Sequence, residues 1–206
     1  MSAFKYVPKR ADPFVFVHHP KAAGTSIRHG LLSGLPVRRK LDDKGTELWP
    51  WDRSFMILRD PVDRFLSGWG ERASNYGLDD LLSLLGNESI PYNPPHRRWV
   101  WDFGSPMDIR HHLLPLSHEV NFGLLKLCEE SGSWVSFDCL DEGIEAVVKW
   151  LDLIRPPLAH KRKGTRRKSA ENLPQSDLLK IREFLSDDYE IMERFKGGYG
   201  GAMLES

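Results

Sequence analysis

Cysteine is nearly missing from this chain: Cys128 and Cys139 are the only two among 206 residues. Two thiols cannot build the disulfide framework of a small secreted domain, and they fall short of a four-ligand zinc set. A reduced pair, buried or partly buried, is what remains. Excess charge is missing as well, since Lys and Arg together number 29 and so do Asp and Glu. No global field then draws the protein to nucleic acid or to an anionic membrane, and any attraction for anions must be local. Apolar runs are short. None approaches the ~18 residues of a membrane-spanning helix, and residues 1–10 carry no hydrophobic region of a signal peptide. We therefore expect a soluble, cytoplasmic protein without membrane insertion. The length suits one domain with a sizeable core, taken as residues 1–206. No repeat, low-complexity tract, heptad or self-complementary patch is visible.

What the chain does have begins with Phe14, Val15, Phe16 and Val17, an apolar run that breaks into His18, His19, Pro20, Lys21, Ala22, Ala23, Gly24, Thr25 and Ser26. The run has the β-branched and aromatic make-up of a strand buried on both faces, and Thr25 or Ser26 can cap a following helix. An anion suits that junction, because helix-terminal N–H groups point outward, Gly24 permits close backbone approach and Lys21 adds a full charge. Alone, the segment reads equally well as an ordinary strand-turn-helix corner, since the G-x-x-x-x-G-K-[ST] order of a Walker A loop is missing. A second segment repeats the arrangement. Phe55, Met56, Ile57 and Leu58 run into Arg59, Asp60 and Pro61, where Asp60 can cap and Pro61 suits a first helical turn. Arg59 at the strand tip and Ser67, about two turns along the helix, can hold a second phosphate with a guanidinium and a hydroxyl. Two anion sites imply a doubly phosphorylated ligand.

These residues resemble the sulfotransferases that use 3′-phosphoadenosine 5′-phosphosulfate (PAPS), in particular the carbohydrate-type and bacterial branch. Its hallmark is a strand followed by H-x-P-K-x-x-G-T-S, met here by residues 18–26, then a strand followed by R-[DN]-P-x-x-R-x-x-S, met by residues 59–67. More weakly, residues 111–117 are similar to the family's H-F-x-P-Q segment, and residues 135–140 to the strand before its late helix. The resemblance implies sulfuryl transfer from PAPS to a hydroxyl acceptor, a carbohydrate by the branch, with no metal required. It implies that Lys21 meets the bridging oxygen and the 5′-phosphosulfate, that Ala23, Gly24, Thr25 and Ser26 wrap the 5′-phosphate, and that Arg59 and Ser67 hold the 3′-phosphate. One departure stands out. The Golgi members of the family carry a membrane anchor and a lumenal catalytic domain.

Alternating apolar runs and helical patterns predict an α/β fold, a three-layer P-loop-like domain with a mainly parallel sheet flanked by helices. Strands are expected near 13–18, 53–59 and 134–138. Helices are expected near 25–35, 61–76, 78–86, 140–154 and 174–196, with an irregular, acceptor-side segment over 87–107. Lys161, Arg162, Lys163, Arg166, Arg167 and Lys168 make the strongest local basic run. By itself this is a solvated loop or a weak polyanion patch; the resemblance implies a loop, about 160–169, that closes over the nucleotide.

Sulfuryl transfer needs an aligned acceptor hydroxyl, charge neutralisation on the bridging oxygen and a base for the acceptor proton. His29, the one histidine of residues 28–54, falls within the expected first helix, which leaves Asp42, Asp43, Glu47, Glu71, His111 and His112 as candidates for the base. An imidazole titrates near working pH, so His112 ranks first, although a His-His pair can as well be a packing or surface element. Trp49 with Trp51, and Trp99 with Trp101, can place both rings on one face of an extended stretch, either exposed for stacking on an acceptor or buried as core. Two other readings stay open. A nucleotide kinase-like phosphotransferase would need Mg²⁺ and turn over ATP, and a noncatalytic nucleotide-binding protein would bind 3′-phosphoadenosine 5′-phosphate without transferring anything.

Overall fold

The computed structural model describes residues 14–17, 19–23, 26–27, 53–90, 103–118, 125, 129–130, 132–153, 170–195 and 197–205. Four strands, β1 (Val15–Val17), β2 (Ser54–Leu58), β3 (Ser133–Ser136) and β4 (Tyr199–Gly201), form one open sheet in that order. β1 and β3 flank β2 in parallel, with Phe16 opposite Phe55 and Met56 opposite Trp134, while β4 runs antiparallel to β3. The fold is α/β with a mostly parallel sheet, as the alternating pattern predicts.

Every residue of β2 is buried, because both faces of the sheet are covered. Phe55 and Ile57 join Phe14, Phe16 and Val135 on one side. Met56 and Leu58 join Val17, Leu116, Ile191 and Phe195 on the other. The alternation is the pleat of a strand, and hydrophobic residues fill both of its sides. On the first side lies α4 (Leu140–Trp150), which contributes Ile144, Val147 and Val148 to the Phe16 cluster. Gly143 lets this helix approach closely, since a Cβ there would collide with Val135.

A second core lies among helices alone. α1 (Pro61–Arg72), α2 (Leu78–Gly86), α3 (Pro106–Leu113) and α5 (Gln175–Phe184) enclose Phe65, Leu66, Trp69, Leu81, Ile109 and Ile181. α1 starts as its sequence suggests: the Asp63 N–H donates to the Asp60 carboxylate at 2.9 Å and Pro61 occupies the first turn. No helix among the described residues is long and apolar enough to cross a membrane.

Three elements depart from expectation. The helix expected over 174–196 is two helices, α5 and α6 (Ser186–Met192), because Leu185 leaves the helical region at φ −106° and ψ 16°. Its apolar spacing continues across the joint and gives no sign of it. The segment expected to be irregular up to residue 107 already turns helical at Pro106, with Ser105 accepting from the Asp108 N–H at 3.3 Å as the cap. β4 was hidden by its composition, Tyr199, Gly200 and Gly201, which has little intrinsic strand preference. Ser26 and Ile27 are helical, and the Ile27 N–H donates to the Ala23 carbonyl at 3.0 Å; residues 28–35 of the helix expected over 25–35 lie outside the described residues.

A buried ion pair ties α1 to α6 and to the turn after α3. Arg64 and Asp188 are both fully enclosed, with Nη2 to Oδ2 at 3.9 Å. Arg64 also donates to the Leu114 carbonyl at 2.6 Å, and the Ser117 N–H donates to Asp188 at 2.8 Å. α1, α6 and the turn after α3 thus meet at one charged point. Removing one member leaves the other charge buried and unpaired, which costs about 3–5 kcal/mol. Asp188→Ala is therefore expected to lose that much stability in a urea melt, and a loss under about 1 kcal/mol would show that the Arg64 charge is not held by this pair.

Candidate active site

Parallel pairing of β1 and β2 brings the segments after both strands to the same edge of the sheet. The chain leaving β1 turns sharply at Pro20. Lys21 and Ala23 then adopt left-handed backbone angles, φ 69° and φ 52°, which non-glycine residues avoid. Each such residue costs on the order of 1–3 kcal/mol and persists only where its surroundings hold it. Arg59, at the tip of β2, supplies part of that hold: its guanidinium donates to the Lys21 carbonyl at 3.2 Å. Arg59 is itself buried, lies 4.7 Å from the centre of the Phe137 ring and pairs with Asp63 at 3.8 Å. The two cations expected to bind separate phosphates are thus built into one corner.

The Lys21 ammonium is bonded to Glu71, which projects from the last turn of α1. Glu71 also faces Arg72 at 3.3 Å, and Arg72 reaches Asp108 at 3.5 Å. Asp108 in turn lies 3.3 Å from the Nδ1 atom of His112, one helical turn along α3. An unbroken chain of charges therefore runs from the β1 loop through α1 to α3. Burial pulls the Lys21 ammonium below its ordinary pKa, outweighing the opposing pull of Glu71, and the neighbouring Arg72 and Arg59 charges add to the depression.

His112 is depressed too, first by burial and then by the facing charges of Arg72 on α1 and Lys21 on the β1 loop. The Asp108 carbonyl and carboxylate oppose the shift. The neighbouring His111 ring packs edge-on at 5.0 Å between centroids. His112 Nδ1 lies 2.8 Å from the Asp108 carbonyl oxygen. A carbonyl only accepts, so Nδ1 is the donor, and in the neutral ring Nε2 carries the lone pair. The outcome is an uncharged, oriented imidazole within Coulombic reach of the Lys21 ammonium.

Ser67 belongs to the same surface. Asp63, Ser67 and Glu71 are spaced by four on α1, which places them in a row on one helix face. The residue before Ser67 in that row meets Arg59, and the residue after it meets Lys21. Ala23 and Ser26 sit in the loop and the helical turn that follow Lys21. Of the expected site, Lys21, Arg59, Ser67 and His112 come together, with Glu71 from the list of candidate bases.

Gly24, Thr25, His18, His29, Asp42, Asp43, Glu47, the pairs Trp49 with Trp51 and Trp99 with Trp101, the basic run 161–168 and Cys128 lie outside the described residues. Cys139 is half-buried and free. Two members were missed by sequence reasoning, Arg72 and Asp108. A signal for Asp108 existed, since Ser105, Pro106 and Asp108 form a helix start and Asp108 precedes His112 by one turn. Nothing local marks Arg72. Comparison of the chain with known protein families, with curated proteins and with solved structures returns no match.

In a two-dimensional NMR titration, the His112 ring is expected to take up its proton below its ordinary value of about 6.5. The unfolded chain then binds that proton first, so this group removes stability as pH falls through about 6.5. Arg72→Gln deletes a facing cation and should raise the midpoint. Asp108→Asn deletes the anion and should lower it. A wild-type midpoint at or above the ordinary value would contradict the buried, cation-flanked setting.

Proposed function

We propose that the protein is a sulfotransferase that moves the sulfuryl group of PAPS to a hydroxyl acceptor, a carbohydrate by its motifs. On this reading the open sheet, packed on both faces, is a three-layer P-loop-like domain, and the nucleotide lies at the carboxyl ends of β1 and β2. The observation that carries the proposal is the convergence of Lys21, Arg59 and the Ser67 face of α1 at that edge, with an oriented His112 beside them. The donor set suits a ligand with two phosphates: one cation and strained loop backbone at Lys21 and Ala23, and a guanidinium with a helix hydroxyl at Arg59 and Ser67.

PAPS supplies the sulfuryl group and a 5′-phosphate leaving group. His112 Nε2 takes the acceptor hydroxyl proton as the acceptor oxygen bonds to sulfur and the bond from sulfur to the bridging oxygen breaks. Lys21 neutralises the charge that grows on the bridging oxygen. The depressed pKa of His112 keeps it unprotonated at neutral pH, so that Nε2 can accept a proton. The Asp108 carbonyl sets its tautomer, and the Asp108 carboxylate steadies the imidazolium that forms. Glu71 sits between Lys21 and Arg72, relieving the repulsion of two cations that face the same ligand. Arg59 and Ser67 read the 3′-phosphate, the group that separates PAPS from simple adenylates.

Calorimetry with 3′-phosphoadenosine 5′-phosphate, against AMP, ADP and ATP, tests the nucleotide site. Selective binding is expected, and Arg59→Ala should weaken it by about 1.5–3 kcal/mol, or one to two decades. With labelled PAPS, His112→Gln should keep nucleotide affinity while slowing transfer by about 10²–10⁴-fold. Equal or tighter binding of ATP, or no effect of Arg59→Ala, would sink the sulfotransferase reading.

A further inference from the structure

Phe103 is the most exposed large apolar side chain among the described residues, with 69% of its surface open. Its setting is nonetheless ordered. The Arg72 guanidinium lies 4.5 Å from the ring centre, a cation–π contact that covers one face of the ring. Arg72 is fixed in turn by Glu71 and Asp108. The next residue, Gly104, donates its N–H to the buried Asp108 carboxylate at 2.9 Å. Gly104 has φ 76° and lies so close to α1 that a Cβ would stand 3.2 Å from the Arg72 carbonyl oxygen. The ring, through Arg72, and the residue that follows it, through Asp108, are thus tethered to the charge chain that ends at Lys21 and His112, yet most of the ring stays in water.

We propose that Phe103 is the stacking platform of the acceptor site and takes a flat, uncharged ring whose apolar face lies against it. The proposal rests on the sulfotransferase reading. Position supports it: contacts through Arg72 and Glu71 link the ring to the Lys21 ammonium. In-line transfer puts the acceptor across the sulfur from the leaving phosphate, on the side of His112, and the Asp108 carboxylate that lies beside His112 also accepts from Gly104, next to the ring. Charge supports it as well. Arg72 is already balanced by Glu71 and Asp108, so the subsite offers an aromatic face rather than an uncompensated cation. The C–H face of a pyranose and the face of a phenol present the same chemistry to such a ring.

The test uses the full chain, labelled PAPS, and two acceptors, methyl β-glucopyranoside and 4-nitrophenol, with wild type, Phe103→Ala and Phe103→Trp. Phe103→Ala is expected to raise the acceptor KM roughly five- to tenfold with kcat and 3′-phosphoadenosine 5′-phosphate affinity unchanged, and Phe103→Trp to restore it. An effect confined to the glucoside assigns a sugar acceptor, and one confined to the phenol assigns an aryl acceptor. Saturation-transfer NMR with the same two probes reads stacking without turnover, so a protein that binds no nucleotide but still loses probe contact in Phe103→Ala fails the sulfotransferase reading and keeps the platform. Unchanged KM and unchanged probe contact in Phe103→Ala, at an unchanged melting temperature, would overturn the proposal.

Discussion

The contact between Lys21 and Glu71 is the constraint on which the rest of the site depends. It joins the loop after β1 to the last turn of α1, and through Arg72 and Asp108 it extends to α3. Its energetic character is instructive. Burial lowers the Lys21 pKa even with Glu71 in contact, so on the Lys21 side of this partly buried pair desolvation outweighs the pull of its partner. Such a contact is poor evidence for stability and good evidence for position. The left-handed backbone at Lys21 and Ala23 points the same way, because strain of that kind is retained where a loop must hold one shape.

Support for that shape comes from a distance. Arg64 lies on α1 between Arg59 and Glu71, but it faces inward, bonding the Leu114 carbonyl and pairing with Asp188 of α6. The second arginine of residues 59–67 is therefore part of the scaffold. Tyr189, next to Asp188, reaches the Asp60 cap of α1 at 3.5 Å. α6 thus grips α1 near its start and along its first turns, which fixes the face carrying Asp63, Ser67 and Glu71. Since Leu114 and Ser117 follow α3 directly, the same clamp sets the level of His112.

Much of this was readable in advance where the signal is local. The strands 15–17 and 54–58 show as apolar runs, and α1 shows through Asp60 and Pro61, because strand burial and helix capping act over a few residues. Lys21, Arg59 and Ser67 could be picked out as candidate anion ligands from residue type and place, and the fold sets Lys21 and Arg59 in one corner. The joint at Leu185, the helix beginning at Pro106 and the glycine-rich β4 were not, since each is imposed by packing that local propensity does not encode. Arg72 and Asp108 were invisible for a related reason. A charged residue on a helix reads as solvent-facing until the fold buries it.

The order of residues alone determined that two strands end in cations beside helix starts, and that charge overall is balanced, because these are matters of composition and spacing within short windows. Only the tertiary structure decided that both strands lie side by side, that Glu71 of one helix pairs with Lys21 of another segment, and that Asp108 orients the His112 ring. Those outcomes depend on contacts across 50 residues between Lys21 and Glu71 and 36 between Arg72 and Asp108. Long-range pairing of this kind is set by which surfaces the sheet and the helical layer bury together, and no local window contains it.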